Sequence, residues 1–88
     1  MLYTFAKPGY DHTELQALLA QVTPQDAVVL WQDGVLQAVR FAHIFANLDQ
    51  VFVLENDIQA RGLTTSFNTI SLDEFVKLTE QYYPQTAF

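Results

Sequence analysis

No cysteine occurs among the 88 residues of the chain, and this absence removes a whole group of chemistries. Without thiols there can be no disulfide framework, no thiolate zinc site and no iron–sulfur ligation. A cysteine nucleophile is excluded as well, so any covalent catalysis would fall to a hydroxyl, a lysine or a carboxylate.

Positive charge is almost as scarce. Four Lys and Arg stand against ten Asp and Glu, which gives a formal net charge of −6. Proteins that hold the phosphate backbone of a nucleic acid do so with clustered basic side chains. Here Lys7, Arg40, Arg61 and Lys77 are scattered along the chain. The composition therefore disfavours direct binding of nucleic acid.

Long hydrophobic runs are also missing. The longest purely apolar stretch is Ala27–Trp31, far short of the roughly 18 to 20 residues that span a bilayer. The opening segment, Met1–Pro8, lacks the basic start and long apolar run of a signal peptide. We expect a cytoplasmic protein without a membrane segment.

Apolar residues, in contrast, are abundant. Half of the residues are hydrophobic and 14% are aromatic, enough to offset the chain entropy lost on folding. Two separate cores would each fall near the floor of about 40 residues for independent folding, so residues 1–88 are predicted to be one domain. The surplus of apolar residues favours a subunit interface, and obligate oligomerisation is our first hypothesis.

Apolar runs and amphipathic segments alternate along the chain. The runs predict four strands: Leu2–Phe5, Ala27–Trp31, Val51–Leu54 and Thr69–Ser71. The amphipathic segments predict four helices: residues 12–22, a second helix from Val35 to Phe45, a short one from Glu55 to Arg61 that stops at Gly62, and a last one from Ser71 to about Tyr82. The fold class is α/β, a three-layer sandwich with a mostly parallel sheet of four to five strands.

Local signals support these boundaries. Asp11 or Thr13 can cap the first helix, and Ser71 with Glu74 has the spacing of a capping box. The pair Asp33-Gly34 is typical of a hairpin turn. Helical spacing of the apolar residues that follow favours a strand-to-helix connection there instead: Val35, Ala38, Val39, Ala42 and Phe45.

Ligands of parallel α/β folds gather at the carboxyl ends of the strands. The loops at Ala6–Gly9, Gln32–Gly34 and Glu55–Asp57 therefore predict one candidate rim. The pair Asp57 and Arg61, four apart on a helix, is predicted to form a stabilising contact there.

No catalytic or metal-binding motif accompanies this rim. Ser66 and Ser71 lack a Gly-x-Ser-x-Gly elbow, and structural roles are favoured for both. His12 and His43 are interpreted as surface or packing residues, because no cluster of three or four ligands is visible and there is no His-x-x-x-His pair. We expect no cofactor and no metal.

Aromatic residues carry a separate signal. Trp31 is expected to pack in the core or against another subunit rather than to bind a ligand. Tyr82, Tyr83 and Phe88 crowd the last residues around Pro84, which predicts that this segment docks on its own domain or on a partner.

Four stretches taken in order resemble the TusB/DsrH family of sulfur-relay subunits: Val29–Val35 with its Gln-Asp-Gly, Asp57–Leu63, Asp73–Thr79 and the ending Gln85–Phe88. With the opening Met1-Leu2-Tyr3-Thr4, the resemblance covers nearly the whole chain.

The resemblance implies a DsrE-like fold and a heterohexamer with two copies each of three homologous small subunits. For the Tus system, the resemblance implies that sulfur passes as a persulfide from TusA to TusD and then through TusE. The sulfur is used to form 2-thiouridine at the wobble position of transfer RNA. Some DsrH-like members carry a cysteine at the place of Leu18. Because this chain has none, the resemblance implies a non-catalytic TusB-like subunit.

We therefore expect partners similar to TusC and TusD, with TusA- and TusE-like carriers as indirect ones. The residues expected at an interface or at the candidate rim of strand-end loops are Trp31, Gln32, Asp33, Gly34, Asp57, Arg61, Gly62 and Phe88. Three alternatives stay open: a DsrH-like subunit in sulfur oxidation, a homo-oligomeric module that binds a small ligand, and, third, an enzyme that uses Asp33 or Asp57.

Overall fold

One sheet of five parallel strands organises the computed structural model, which describes all 88 residues. The strands are β1 (Leu2–Phe5), β2 (Ala27–Leu30), β3 (Val51–Leu54), β4 (Asn68–Ile70) and β5 (Gln85–Ala87). Their order across the sheet is β4-β3-β2-β1-β5, and every neighbouring pair is parallel. The predicted α/β class with a mostly parallel sheet is confirmed.

Helices connect the strands as right-handed crossovers require. They are α1 (His12–Leu19), α2 (Leu36–Arg40), α3 (Ala42–Phe45), α4 (Glu55–Ala60) and α5 (Leu72–Gln81), with a single 3₁₀ turn at Gln32–Val35. Asp11 caps α1 by accepting a hydrogen bond from the backbone N–H of Glu14 at 2.8 Å. Ser71 and Glu74 form the predicted capping box at the start of α5.

The two faces of the sheet are covered unequally. The larger core cluster takes buried side chains from α1 to α4, among them Leu15, Ile44, Phe45 and Ile58. On the opposite face the smaller cluster takes its buried helical side chain from α5 alone, namely Phe75. One ten-residue helix therefore shields a face five strands wide, and this asymmetry leaves apolar side chains partly exposed beside it.

The second predicted helix is interrupted, so the prediction of one continuous helix was wrong. Phe41 leaves helical geometry with φ −123° and ψ 35° and separates α2 from α3. Val39, assigned to the apolar face by its spacing, is 47% exposed. The break turns the chain so that Ile44 and Phe45 still reach the core.

The first helix and the C-terminal segment also differ from the prediction. The first helix ends at Leu19 rather than at residue 22, because the N–H groups of Gln21 and Val22 bond to carbonyls three residues back. The C-terminal segment, expected only to dock, forms β5 beside β1. No helix is long and apolar enough to cross a membrane.

Candidate functional site: the strand-end rim and the outer side of α5

Four side chains and backbone groups meet where β2 and β3 end, and we call this set the strand-end rim: Gln32, Asp33, Asp57 and Arg61. Gln32 adopts φ +51°, in the left-handed region that a non-glycine residue rarely enters. This conformation accompanies a 2.5 Å hydrogen bond from its backbone N–H to the Asp57 carboxylate. The first turn of α4 thereby holds the loop that follows β2.

Arg61 closes the rim from the end of α4. Its Nη2 lies 2.6 Å from Oδ1 of Asp33, and its Nη1 donates to the backbone carbonyl of Asp57 at 2.9 Å. The Asp57 carboxylate is 3.9 Å from Nη1, which confirms the predicted pair four residues apart. Gly62 follows with φ +65°, the left-handed residue expected after a helix end.

The chemistry of the rim follows from these pairings. One guanidinium is shared between two carboxylates, so Arg61 is not free to bind an anionic ligand. The rim links the 3₁₀ turn to α4. Both of its carboxylates are engaged in this link: Asp33 pairs with Arg61, and Asp57 accepts from the Gln32 backbone N–H.

Gly34 has a steric role in the same loop. A Cβ built on it would lie 1.8 Å from the carbonyl oxygen of Phe5. The 3₁₀ turn therefore packs directly on the end of β1, and only glycine fits. This close approach accounts for the glycine of the Gln-Asp-Gly motif.

The side chains of Trp31 and Phe88 pack on other residues and take no part in the contacts of the rim. The Trp31 ring packs edge-on against Phe75 on the α5 side of the sheet, with ring centroids 5.2 Å apart. Phe88 stacks on Tyr3 at 5.5 Å and also contacts Phe5. The structure thus brings together Gln32, Asp33, Asp57 and Arg61, with Gly34 and Gly62 as backbone elements, but not the two aromatic residues.

Buried polar contacts near β1 were missed at the sequence level. The Tyr10 hydroxyl donates to the backbone carbonyl of Phe88 at 2.8 Å, and burial raises the pKa of this phenol. Gln37 is fully buried and donates from Nε2 to the Pro8 carbonyl at 3.0 Å. Its polar character inside an apolar helical pattern was the only signal that could have indicated an inward contact.

Three of the five well-exposed large hydrophobic side chains lie on α5 or just after its end. Leu72, Val76 and Tyr83 are 54%, 51% and 74% exposed. Leu72 and Val76 lie about one turn apart on the same side of α5, whereas Tyr83 lies beyond the end of the helix, after Tyr82 has turned to extended backbone with φ −113° and ψ 115°. We call these three residues the α5 stripe. Exposed acidic residues, Asp73 and Glu80, flank it.

Concave surface elsewhere on the molecule is limited to three open pockets. The largest cavity, about 350 Å³, lies between α1 and α3 and is lined by Gln16, Leu19, His43, Ile44, Asn47 and Leu48. No group of three or more histidine, aspartate or glutamate side chains is placed to hold a metal ion. None of the cavities includes a residue of the strand-end rim.

Comparison with known proteins identifies the family to which the chain is related. Residues 7–85 match the family model described as DsrH like protein. A protein of Haemophilus influenzae is 44% identical over 94 residues, covering 99% of both chains. Proteins named TusB from Cronobacter sakazakii and Yersinia pestis are each 38% identical over 96 residues, with full coverage of both chains.

A solved structure agrees with the fold. The solution NMR structure of protein Tm0979 from Thermotoga maritima superposes with a TM-score of 0.65 at 26% identity, covering 92% of this chain and 93% of that one. Fold and similarity together define a small, all-parallel α/β protein of the DsrH-like kind. The chain belongs to the DsrH family, which includes the TusB proteins.

Proposed function

We propose that the chain is a TusB-like subunit of a cytoplasmic sulfur-relay complex and supports 2-thiouridine formation at the tRNA wobble position without carrying sulfur itself. The proposal rests first on similarity to proteins named TusB over the whole chain. The same similarity favours tRNA thiolation over a role in sulfur oxidation.

The missing thiol supports a role in the relay without a sulfur-carrying residue. A persulfide forms on a cysteine sulfur, and only a thiolate is an effective nucleophile for that exchange. The chain has no cysteine, and its single methionine has a thioether that cannot form this bond. The subunit therefore acts by holding its partners in place, and the proposal includes no catalytic residue.

The α5 stripe is the best-supported docking surface for those partners. Of the five large hydrophobic side chains that are well exposed, three belong to the stripe. Exposed apolar groups that lie together on a small protein mark interaction sites. In the proposed complex a TusC- or TusD-like subunit covers Leu72, Val76 and Tyr83. Contacts of the strand-end rim, Trp31 or Phe88 with partners stay predictions.

Charge favours a different protein over a second copy of this chain as the occupant. A two-fold dimer through α5 would place the stripe against itself, and each copy would bring three exposed acids and one exposed base to the contact: Asp73, Glu74, Glu80 and Lys77. Like charges facing each other across an interface disfavour association. The net charge of −6 adds to this repulsion. The proposed partner surface is therefore apolar at its centre and basic at its rim.

Binding of a small ligand at the strand ends is less well supported. Arg61 is already paired with Asp33 and Asp57. Lys7, exposed in the loop after β1, is then the one basic side chain left at the predicted rim loops for an anion.

The test uses a bacterial strain that lacks its own TusB and contains TusC and TusD. The chain should restore 2-thiouridine in tRNA hydrolysates, whereas the double variant Leu72→Asp/Val76→Asp should not. Val39→Asp is the matched control, because Val39 is exposed to a similar extent but lies on α2. Full restoration by the double variant would exclude the α5 stripe. Failure of the unmodified chain, with folding verified, would contradict the relay function.

A further inference from the structure

Two histidines that lie 31 positions apart in the sequence come together on the surface. His12 begins α1 and His43 lies in α3. Their ring centroids are 6.0 Å apart with an interplanar angle of 22°. Both side chains are exposed, so their nitrogens are accessible to a ligand from solvent. We propose that His12 and His43 together bind one late divalent transition-metal ion, with Cu²⁺ as the preferred metal.

The backbone positions of the pair are fixed by the core. Leu15 and Leu19 anchor α1, and Ile44 and Phe45 anchor α3, all in the larger core cluster. Because both helices pack on the same face of the sheet, the two imidazoles stay near each other while their side chains rotate. A second nitrogen held close in this way raises the effective ligand concentration for a metal bound to the first.

The separation suits a shared ion. With metal–nitrogen bonds of about 2 Å, two imidazoles on one ion at angles of 90° to 110° have ring centres roughly 4.5 to 5.2 Å apart. The observed 6.0 Å exceeds this by roughly 1 Å, and the two rings lie nearly parallel. Binding therefore requires each exposed side chain to change its rotamer and turn one ring nitrogen toward the shared ion. His43 also lines the cavity between α1 and α3, which leaves room for water ligands.

The composition of the site selects the metal class. Two neutral imidazoles with water fit the tetragonal nitrogen and oxygen coordination of Cu²⁺ and Ni²⁺. Structural zinc sites use four protein ligands and catalytic ones use three, and no third acidic or histidine ligand is present here. The order of affinities is therefore Cu²⁺ over Ni²⁺, with Zn²⁺ weaker than Cu²⁺. This inference is independent of the relay function.

The experiment titrates untagged protein with Cu²⁺ in a buffer that does not chelate metals, followed by calorimetry and by broadening of the histidine ring signals in NMR spectra. One ion should bind, and both rings should broaden. His12→Asn and His43→Asn should each weaken binding about ten-fold or more, because each variant removes one arm of the chelate. Arg40→Gln is the control on the same surface: its guanidinium lies over the Phe41 ring, which His12 also contacts. It should retain binding.

Three results would overturn the proposal. The first is that no Cu²⁺ binding is detected. The second is that the two single variants bind Cu²⁺ as tightly as the unmodified chain. The third is that NMR signals broaden around the amino group of Met1 instead of at the two histidine rings. Circular dichroism of each variant separates loss of the ligand from loss of the fold.

Discussion

Gly34→Ala should be among the most damaging single-methyl additions in this chain. The added Cβ would lie 1.8 Å from the carbonyl oxygen and 2.5 Å from the carbonyl carbon of Phe5, and both are backbone atoms that cannot rotate away. Relief requires the 3₁₀ turn and the end of β1 to separate by more than 1 Å, because carbon and oxygen atoms rarely approach closer than about 3 Å. That movement would disturb the contact of β1 with β2.

The magnitude follows from the kind of strain. Overpacking in a well-packed interior costs about 1 to 3 kcal/mol, and a backbone-to-backbone clash belongs at the upper end, so we expect a loss of about 3 kcal/mol. Because the free energy of unfolding falls by about 1.5 kcal/mol for each molar of urea, the urea concentration at the unfolding midpoint should fall by about 2 M. Trp31, the only tryptophan, packs against Phe75 and supplies the fluorescence signal.

Two other glycines serve as controls in the same assay. A Cβ on Gly9 meets nothing within 4 Å, so Gly9→Ala should change the free energy of unfolding by less than about 1 kcal/mol. Gly62 also has open space but a φ of +65°, so Gly62→Ala should cost about 1 kcal/mol from backbone strain alone. A Gly34→Ala protein as stable as Gly9→Ala would refute the steric account of the Gln-Asp-Gly motif.

Three further predictions concern single contacts. Arg61→Ala removes the ion pairs of the strand-end rim and should lower the free energy of unfolding by about 1 kcal/mol, measured by urea titration; an unchanged midpoint would contradict the linking role. Ser71→Ala removes the side-chain oxygen that accepts a hydrogen bond from the Glu74 backbone N–H and should cost about 1 kcal/mol, measured by urea titration. The pKa of Glu74 should stay below its usual value in an NMR titration, because the backbone N–H of position 71, the main cause of the lowered pKa, is kept in the variant; a pKa that returns fully to normal would contradict this. The Thr23 backbone N–H likewise lowers the pKa of Asp26 from 3.8, so its contribution is complete above pH 3.8 and lost as pH falls below it. Asp26→Asn should therefore be less stable than the unmodified chain at pH 7, and the difference should shrink below pH 3.8; a constant difference would refute the assignment.

The strands were predictable because buried parallel strands are continuous apolar runs. Val51–Leu54 is the clearest case, and its predicted boundaries match the structure. Gln85–Ala87 has no such run, so β5 could not be recognised from composition, and its place beside β1 depends on backbone pairing. The break at Phe41 was equally hidden, since apolar residues on either side keep helical spacing.

In the candidate site, too, some contacts could be predicted from the sequence and others could not. The contact between Asp57 and Arg61 follows from their spacing on one helix. The Asp33–Arg61 pair and the His12–His43 pair join residues far apart in the chain, and only the tertiary fold brings them together. For α5, the apolar pattern predicted a helix. It could not show that Leu72 and Val76 remain exposed, because that depends on one helix covering a wide sheet.

Assembly is the central claim, and co-purification tests it most directly. The chain should be co-expressed with TusC- and TusD-like subunits from the same genome, with an affinity tag on only one of those two. Size-exclusion chromatography with light scattering then measures mass and stoichiometry. The account predicts that this chain elutes with both partners in equal amounts, as a complex with two copies of each subunit. Elution of a folded chain on its own, with the other two subunits assembled without it, would contradict the account.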